Sequence, residues 1–206
     1  MRASLRAMAE ADAARWDAKY AGRPLPEPHP STALQAWQGA VPRRGRALDL
    51  AGGDGAQAVW MALRGLDVTL VDVSAVALER AAAVASEHGV ALTTVVADLE
   101  REAMPGGPWD FVLCTNYLQA SMWPSVASGL SSNGVALWLH PTVRNLERYE
   151  RPSRRFLLAD GEGRRILESA GLDVQHHHED WIGEPARHLC QLVAARGAVP
   201  DGLPRR

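Results

Sequence analysis

The chain has 206 residues, 22 of them basic and 24 acidic, for a formal charge of −2, with 47% apolar and 22% charged residues; this is globular usage, at a length that fills one core. The near-neutral balance excludes a protein built to coat nucleic acid, whose phosphate contacts need a surplus of Lys and Arg. No apolar run approaches the roughly 18–20 residues that span a bilayer. Charged residues (Arg2, Arg6, Glu10, Asp12) stand where a signal peptide needs its apolar segment, and Cys114 and Cys190 are too few for a stapled secreted scaffold. The expectation is one cytoplasmic domain over 1–206, acting on a small molecule rather than nucleic acid or membrane. Oligomeric state is not legible.

Residues 3–20 predict an amphipathic helix with Leu5, Met8, Trp16 and Tyr20 near one face. A proline-dense loop, Arg23 to Pro30, ends it, because proline lacks the N–H that helix and sheet ladders use. A short helix at Thr32–Gln38 and a turn at Pro42–Gly45 follow. Strand patterns then fall at 46–51, 67–72, 91–97, 109–115, 134–140, 172–180 and 188–195, with helical patterns at 55–64, 74–88, 118–130 and 159–170. Ser74 reads as an N-cap, and Gly65 and Gly89 as helix stops. Helices between apolar strands impose parallel pairing through right-handed crossovers, so the sheet is covered on both faces. The last two strands meet through a short linker and are expected to pair antiparallel at one edge. The fold class is therefore α/β: a helical cap and proline-rich loop at 1–40, a seven-stranded core at 41–196 and a tail at 197–206. Residues 1–8 and the tail are expected to fray.

Ligands of open α/β sheets sit beyond the carboxyl ends of the strands. The first strand ends in Asp49-Leu50-Ala51-Gly52-Gly53-Asp54-Gly55, and a helix opens directly behind it. Glycines let backbone pass close to a ligand and bare the amides of the helix N-terminus, although a tight turn without a ligand uses them equally well. The second strand ends in Asp72, placed to accept both hydroxyls of a ribose, and the third in Ala97-Asp98-Leu99, where Asp98 can accept from an exocyclic amine. Three carboxylates ending three successive strands favour a shared ligand over scattered surface charge.

These motifs resemble class I S-adenosylmethionine-dependent methyltransferases, over residues 12–196. Asp49 to Gly55 is similar to that family's first motif, which holds the methionine part of the cofactor; here Ala51 stands where the first alternating glycine usually falls. The resemblance implies a Rossmann-like fold and S-adenosylmethionine as cofactor, leaving as S-adenosylhomocysteine. The cofactor site it implies comprises Tyr20, Asp49, Ala51, Gly52, Gly53, Gly55, Asp72 on the ribose, Val73, Ala97, Asp98 beside the adenine, Leu99, Cys114 and Thr115. Thr115, Asn116 and Tyr117 would line the methyl-transfer pocket after the fourth strand, and Trp16 to Tyr20 resembles a helix that caps it. Phe156 to Leu167 with the following strand is similar to the tellurite-resistance and thiopurine methyltransferase-like branch. Gly53-x-Gly55-x-x-Ala58 also fits a dinucleotide fingerprint, so an NAD(P)-binding oxidoreductase is one rival and a non-catalytic scaffold another.

Methyl transfer from a sulfonium asks the protein mainly to position the nucleophile and exclude water. A thiol or other chalcogen needs little base, whereas a hydroxyl needs one. Tyr117 and His140 are the catalytic candidates; His140, ending the fifth strand, reads as a base or as a rim histidine bonded to loop backbone. Trp16 and Asn116 are substrate-side candidates, and Trp16 with Tyr20 can present ring faces to the sulfonium or simply pack the helix. Arg144, with Arg148, Arg151, Arg154 and Arg155, forms an anion grip or a solvated loop, and Arg187 and His188 open the last strand near the pocket. His176-His177-His178 puts His176 and His178 on one strand face, short of a third ligand, so no metal site is expected.

Overall fold

The computed structural model describes residues 2–196, with side chains from Ala11 onward. The Leu5 and Met8 side chains and the tail 197–206 lie outside the described residues. Helix α1 spans Arg2–Tyr20 and short α2 Thr32–Ala36, separated by the proline-rich loop. The alternating core follows as β1 (Arg46–Leu50), α3 (Ala56–Leu63), β2 (Asp67–Asp72), α4 (Ala75–Glu87), β3 (Thr93–Val96) and β4 (Trp109–Thr115). Then come α5 (Trp123–Gly129), β5 (Leu130–Pro141), α6 (Glu162–Ser169), β6 (Asp173–Ile182) and β7 (Arg187–Ala195).

The seven strands form one sheet in the order β3-β2-β1-β4-β5-β7-β6. Strands β1 to β5 pair in parallel, while β7 runs antiparallel to both β5 and β6. The antiparallel pair expected at one edge is present, with the later strand β7 inside and β6 outermost. Composition explains that order. Apolar β7 is buried along most of its length, whereas the His- and acid-rich β6 is half exposed, and polar residues protect an open edge.

One sheet face carries α2, α3 and α4, whose Leu34, Met61 and Leu78 pack with Leu70, Phe111, Leu113 and Leu137. The opposite face carries α5 and α6, whose Trp123, Val126 and Leu167 pack with Leu50, Val112, Trp138 and Leu192. Trp123 and Trp138 meet with centroids 4.8 Å apart at 43°, a tilted pairing that suits the ring quadrupoles.

Several boundaries differ from the pattern reading for local reasons. The helix expected over 118–130 starts only at Trp123, after a 3-10 turn at Ala120–Met122, because Pro124 is confined to a first turn. Helix α6 starts at Glu162 rather than 159, since Gly161 at φ 66° interrupts it, and the Glu162 carboxylate accepts the Ala159 amide at 2.7 Å. Strand β5 starts early, at Leu130, which pairs with Trp109. Ser74 caps α4 as expected, accepting from the Ala77 amide at 3.0 Å. Among the described residues, no helix is long and apolar enough to cross a membrane.

Candidate active site

The carboxyl ends of β1 to β4 share one rim, and β1, between β2 and β4, marks the point where strand order reverses. Asp49 on β1 is fully buried, and neither carboxyl oxygen has a hydrogen-bond partner. Burial, reinforced by nearby Asp72, pushes its pKa up to about 8. The chain then turns through two left-handed residues, Ala51 (φ 53°) and Gly53 (φ 60°), and Gly55 (φ 81°) opens α3. Ala51 adopting that conformation is unusual for a residue with a Cβ and marks the loop as strained. A Cβ on Gly52 would stand 2.6 Å from the Asp49 carboxylate, and one on Gly53 would collide with the Tyr20 hydroxyl. The loop is thus a cradle lined by backbone over an unsatisfied acid.

Asp72 ends β2 and is nearly buried. Its two oxygens accept the amides of Gly53 at 2.8 Å and Ser74 at 2.9 Å. Burial raises its pKa, and hydrogen bonds from Ser74, Gly53 and Val73 oppose that rise. Each oxygen keeps a second lone pair, so the two hydroxyls of a ribose can still be accepted. Asp98 follows β3, between buried Ala97 and Leu99. Its carboxylate accepts the Glu100 amide at 3.0 Å and lies 3.6 Å from Arg101, so it also organises its own turn.

Above the fourth strand, Thr115 accepts from the Gln57 side chain at 2.9 Å. Asn116 is exposed at φ 57°, with its amide donating to the Leu139 carbonyl at 2.9 Å. Tyr117 is half-buried, and its carbonyl accepts from the Trp138 indole at 3.1 Å. Burial, with Glu100, Cys114, Asp98 and Asp72 nearby, holds the phenol protonated well above its ordinary range. Cys114 is wholly buried, its thiol 3.6 Å from the Tyr117 carbonyl, so it borders the site only through its backbone.

Helix α1 closes over the loop. Asp17 accepts from the Ser74 hydroxyl at 2.6 Å and the Val76 amide at 3.2 Å, adding a second cap to α4 and pinning α1 there. Trp16 and Tyr20 stack at 6.3 Å and 25°, and Lys19 Nζ stands 4.0 Å from the Trp16 ring centre. The chain's own cation therefore sits over an aromatic face expected to meet the sulfonium. Burial, together with Asp72 and Asp54, raises the Tyr20 pKa to about 12. Sequence reasoning gave Asp17 and Gln57 no role; their contacts at separations of 57 and 58 residues leave no local signal.

Other candidates lie elsewhere. His140 on β5 is 3% exposed, its Nε2 bonded to the Phe156 carbonyl at 3.0 Å and its Nδ1 without a partner. Burial lowers its pKa to about 4, so it is neutral near pH 7 and a weak base. Arg144 is exposed and paired with Glu147 at 3.0 Å, on an open groove of about 450 Å³ that Arg154 and Asp160 also line. The arginine cluster does not converge on one anion site. Arg148 lies over Trp181 at 3.7 Å and Arg155 over Phe156 at 4.5 Å. Nor do Arg187 and His188 open toward the rim: Arg187 stacks on Tyr149, and buried His188 shares a 2.7 Å hydrogen bond with Thr142. The Asn145 amide donates to the His188 carbonyl at 2.7 Å, and this buried network folds the 142–158 segment back onto the sheet.

Residues 47–133 match a protein-family model described as a methyltransferase domain. No curated protein matches the sequence. The fold is similar to TehB from Haemophilus influenzae, at TM-score 0.67 and 15% identity, with 82% of this chain and 62% of that one covered. It is similar to a TehB-like S-adenosylmethionine-dependent methyltransferase from Corynebacterium glutamicum, at TM-score 0.62 and 18% identity, with 92% and 98% covered. A third likeness, at TM-score 0.69 and 19% identity over 90% and 93%, is to a structure described by the conversion of a disulfide bond into a thioacetal group during echinomycin biosynthesis. The chain spans less than two thirds of the Haemophilus protein's length. Sheet order and structural likeness agree: the chain has the fold of S-adenosylmethionine-dependent methyltransferases, and residues 47–133, which carry β1 to β4 of the rim, are the part that matches the methyltransferase-domain model.

Proposed function

We propose that the chain methylates a small-molecule nucleophile, a thiol, chalcogen, hydroxyl or amine, with S-adenosylmethionine bound at the β1–β4 rim. The observation that carries this reading is the buried, unpartnered Asp49 carboxyl beneath the left-handed Ala51–Gly55 loop. Such a group calls for a cation or a strong donor, and the ammonium of the cofactor's methionine part is both. Asp72 and Asp98 extend the acidic rim, which attracts a cationic ligand and repels the diphosphate of a dinucleotide.

S-adenosylmethionine would supply there a methyl group activated by its sulfonium, to be taken in line by a nucleophile with neutral S-adenosylhomocysteine as the leaving group. The chain's residues then do the positioning. Asp49 and the backbone of Ala51, Gly52, Gly53 and Gly55 hold the methionine part, Asp72 and Val73 the ribose, and Ala97, Asp98 and Leu99 the adenine. Tyr20 and Trp16 on α1 exclude water above the loop. Thr115, Asn116 and Tyr117 face the acceptor, the protonated phenol as a hydrogen-bond donor. His140, buried and neutral, positions the end of β5 and does not take the proton. Neither catalytic candidate is a base near neutrality, His140 because burial lowers its pKa and Tyr117 because burial keeps its phenol protonated, which favours a soft, sulfur-type nucleophile, in keeping with the sulfur chemistry named for one structural neighbour.

Thermal unfolding with S-adenosylmethionine, S-adenosylhomocysteine and NAD in parallel tests the cofactor. A ligand at a hundred times its Kd stabilises the native state by about 2.7 kcal/mol. A shift with the two sulfur compounds alone supports the reading. A shift with NAD alone refutes it in favour of an oxidoreductase, and no shift with any ligand favours a scaffold.

A further inference from the structure

Among the described residues, one group of His, Cys and acidic side chains comes together closely enough to hold a metal ion: His177, Glu179 and Cys190. Their ligand atoms all lie within 4.8 Å of one another. The sheet register creates the group. Glu179 on β6 stands opposite Cys190 on β7, and His177, two residues earlier, shares Glu179's face. The face that matters is therefore that of His177, and the third group arrives from another strand.

The three groups differ in a way that suits an ion of intermediate softness. A thiol, an imidazole and a carboxylate together are the donor set of zinc, with bond lengths near 2.0–2.3 Å. A tetrahedral ion would hold such atoms about 3.5 Å apart, so the side chains need close by only about an ångström. Cys190 is buried, while His177 and Glu179 are each about one-fifth exposed and give an ion its entry. The His177 Nε2 to Glu179 Oε1 contact of 2.9 Å already converges the two outer groups. His140 continues the row across β5, in register with Cys190. Its Nδ1 is unpartnered and buried, and its Nε2 is held by the Phe156 carbonyl.

We infer that Cys190, His177 and Glu179 form a zinc-type cation site at the β6–β7 edge, with a fourth position left open. It stands three to four strands from β1, roughly 15–20 Å across the sheet at a strand spacing of about 4.8 Å. Binding exchanges the thiol proton for the ion: the sulfur coordinates as thiolate and one proton passes to solvent.

Cobalt(II) titration of the reduced full-length protein tests the site. The expected result is a near-ultraviolet thiolate-to-cobalt charge-transfer band with tetrahedral d–d absorption, bleached by one equivalent of zinc. Cys190→Ala should lose the band while Cys114→Ala keeps it. His177→Ala and Glu179→Gln, partly exposed positions on an edge strand outside the apolar core, should each weaken cobalt binding at least tenfold. No charge-transfer band at millimolar cobalt, a band that survives in Cys190→Ala, or unchanged affinity in both β6 variants would each overturn the inference.

Discussion

Replacing Asp49 with Asn tests the electrostatics of the site before any ligand is added. In the folded protein the Asp49 carboxyl is buried without a partner and titrates at about 8, against an ordinary value of 3.8. A group whose folded pKa is raised holds its proton in the native state when the unfolded chain has lost it. Between pH 4 and 8 the native state therefore binds about one proton more, and stability falls by about 1.4 kcal/mol per pH unit from this group alone. At pH 7 the accumulated cost is about 4 kcal/mol, present at neutral and alkaline pH and absent below pH 4. Asn removes the titration but buries an amide with unmet hydrogen bonds, which returns about 1–3 kcal/mol. The expected net effect at pH 7 is a gain of about 1–3 kcal/mol, measured by urea unfolding monitored by tryptophan fluorescence. The decisive quantity is the difference between variant and wild-type stabilities. It should rise with pH from about 4 and flatten near 8; parallel curves would refute the assignment of a protonated Asp49. In the wild type, a cationic cofactor that ionises Asp49 should also release a proton on binding, with affinity growing tenfold per pH unit below 8. Calorimetry in buffers of different ionisation enthalpy reads that proton directly.

Gly55→Ala should lower stability by about 1–3 kcal/mol and weaken S-adenosylmethionine binding, because the residue sits at φ 81° and its Cβ would meet that of Ala81 at 2.5 Å; an unshifted melting curve would contradict the packing of α3 against α4. Asp72→Asn should cut cofactor affinity at least tenfold by removing a charged acceptor of the ribose. Asp72→Ala would strand both the Gly53 and the Ser74 amide, whereas the single oxygen of Asn still accepts one of them, so Kd is read beside a melting curve and a normal Kd in the folded Asn variant refutes the ribose assignment. Trp37→Phe should cost about 1–3 kcal/mol, since it deletes the buried 2.7 Å bond from the indole to Gln191; a melting temperature within one degree of wild type would refute that estimate.

The sequence by itself determined the periodic features. Apolar runs broken by Gly and capped by Ser74 set the alternation of strand and helix, and strand ends at Asp49, Asp72 and Asp98 placed three acids on one rim. These are local properties: a period of 2 or 3.6, a cap or a turn residue acts within a few positions, and parallel crossovers then leave few topologies open. Only the tertiary structure decided the rest. It placed β7 between β5 and β6, left Asp49 without a partner, and turned His140 into a buried neutral group. It also dispersed the arginine run onto separate aromatic rings and joined His177 and Glu179 to Cys190. Burial and cross-strand register arise when segments far apart in the chain meet, and the free energy of a charge or thiol depends on what surrounds it there.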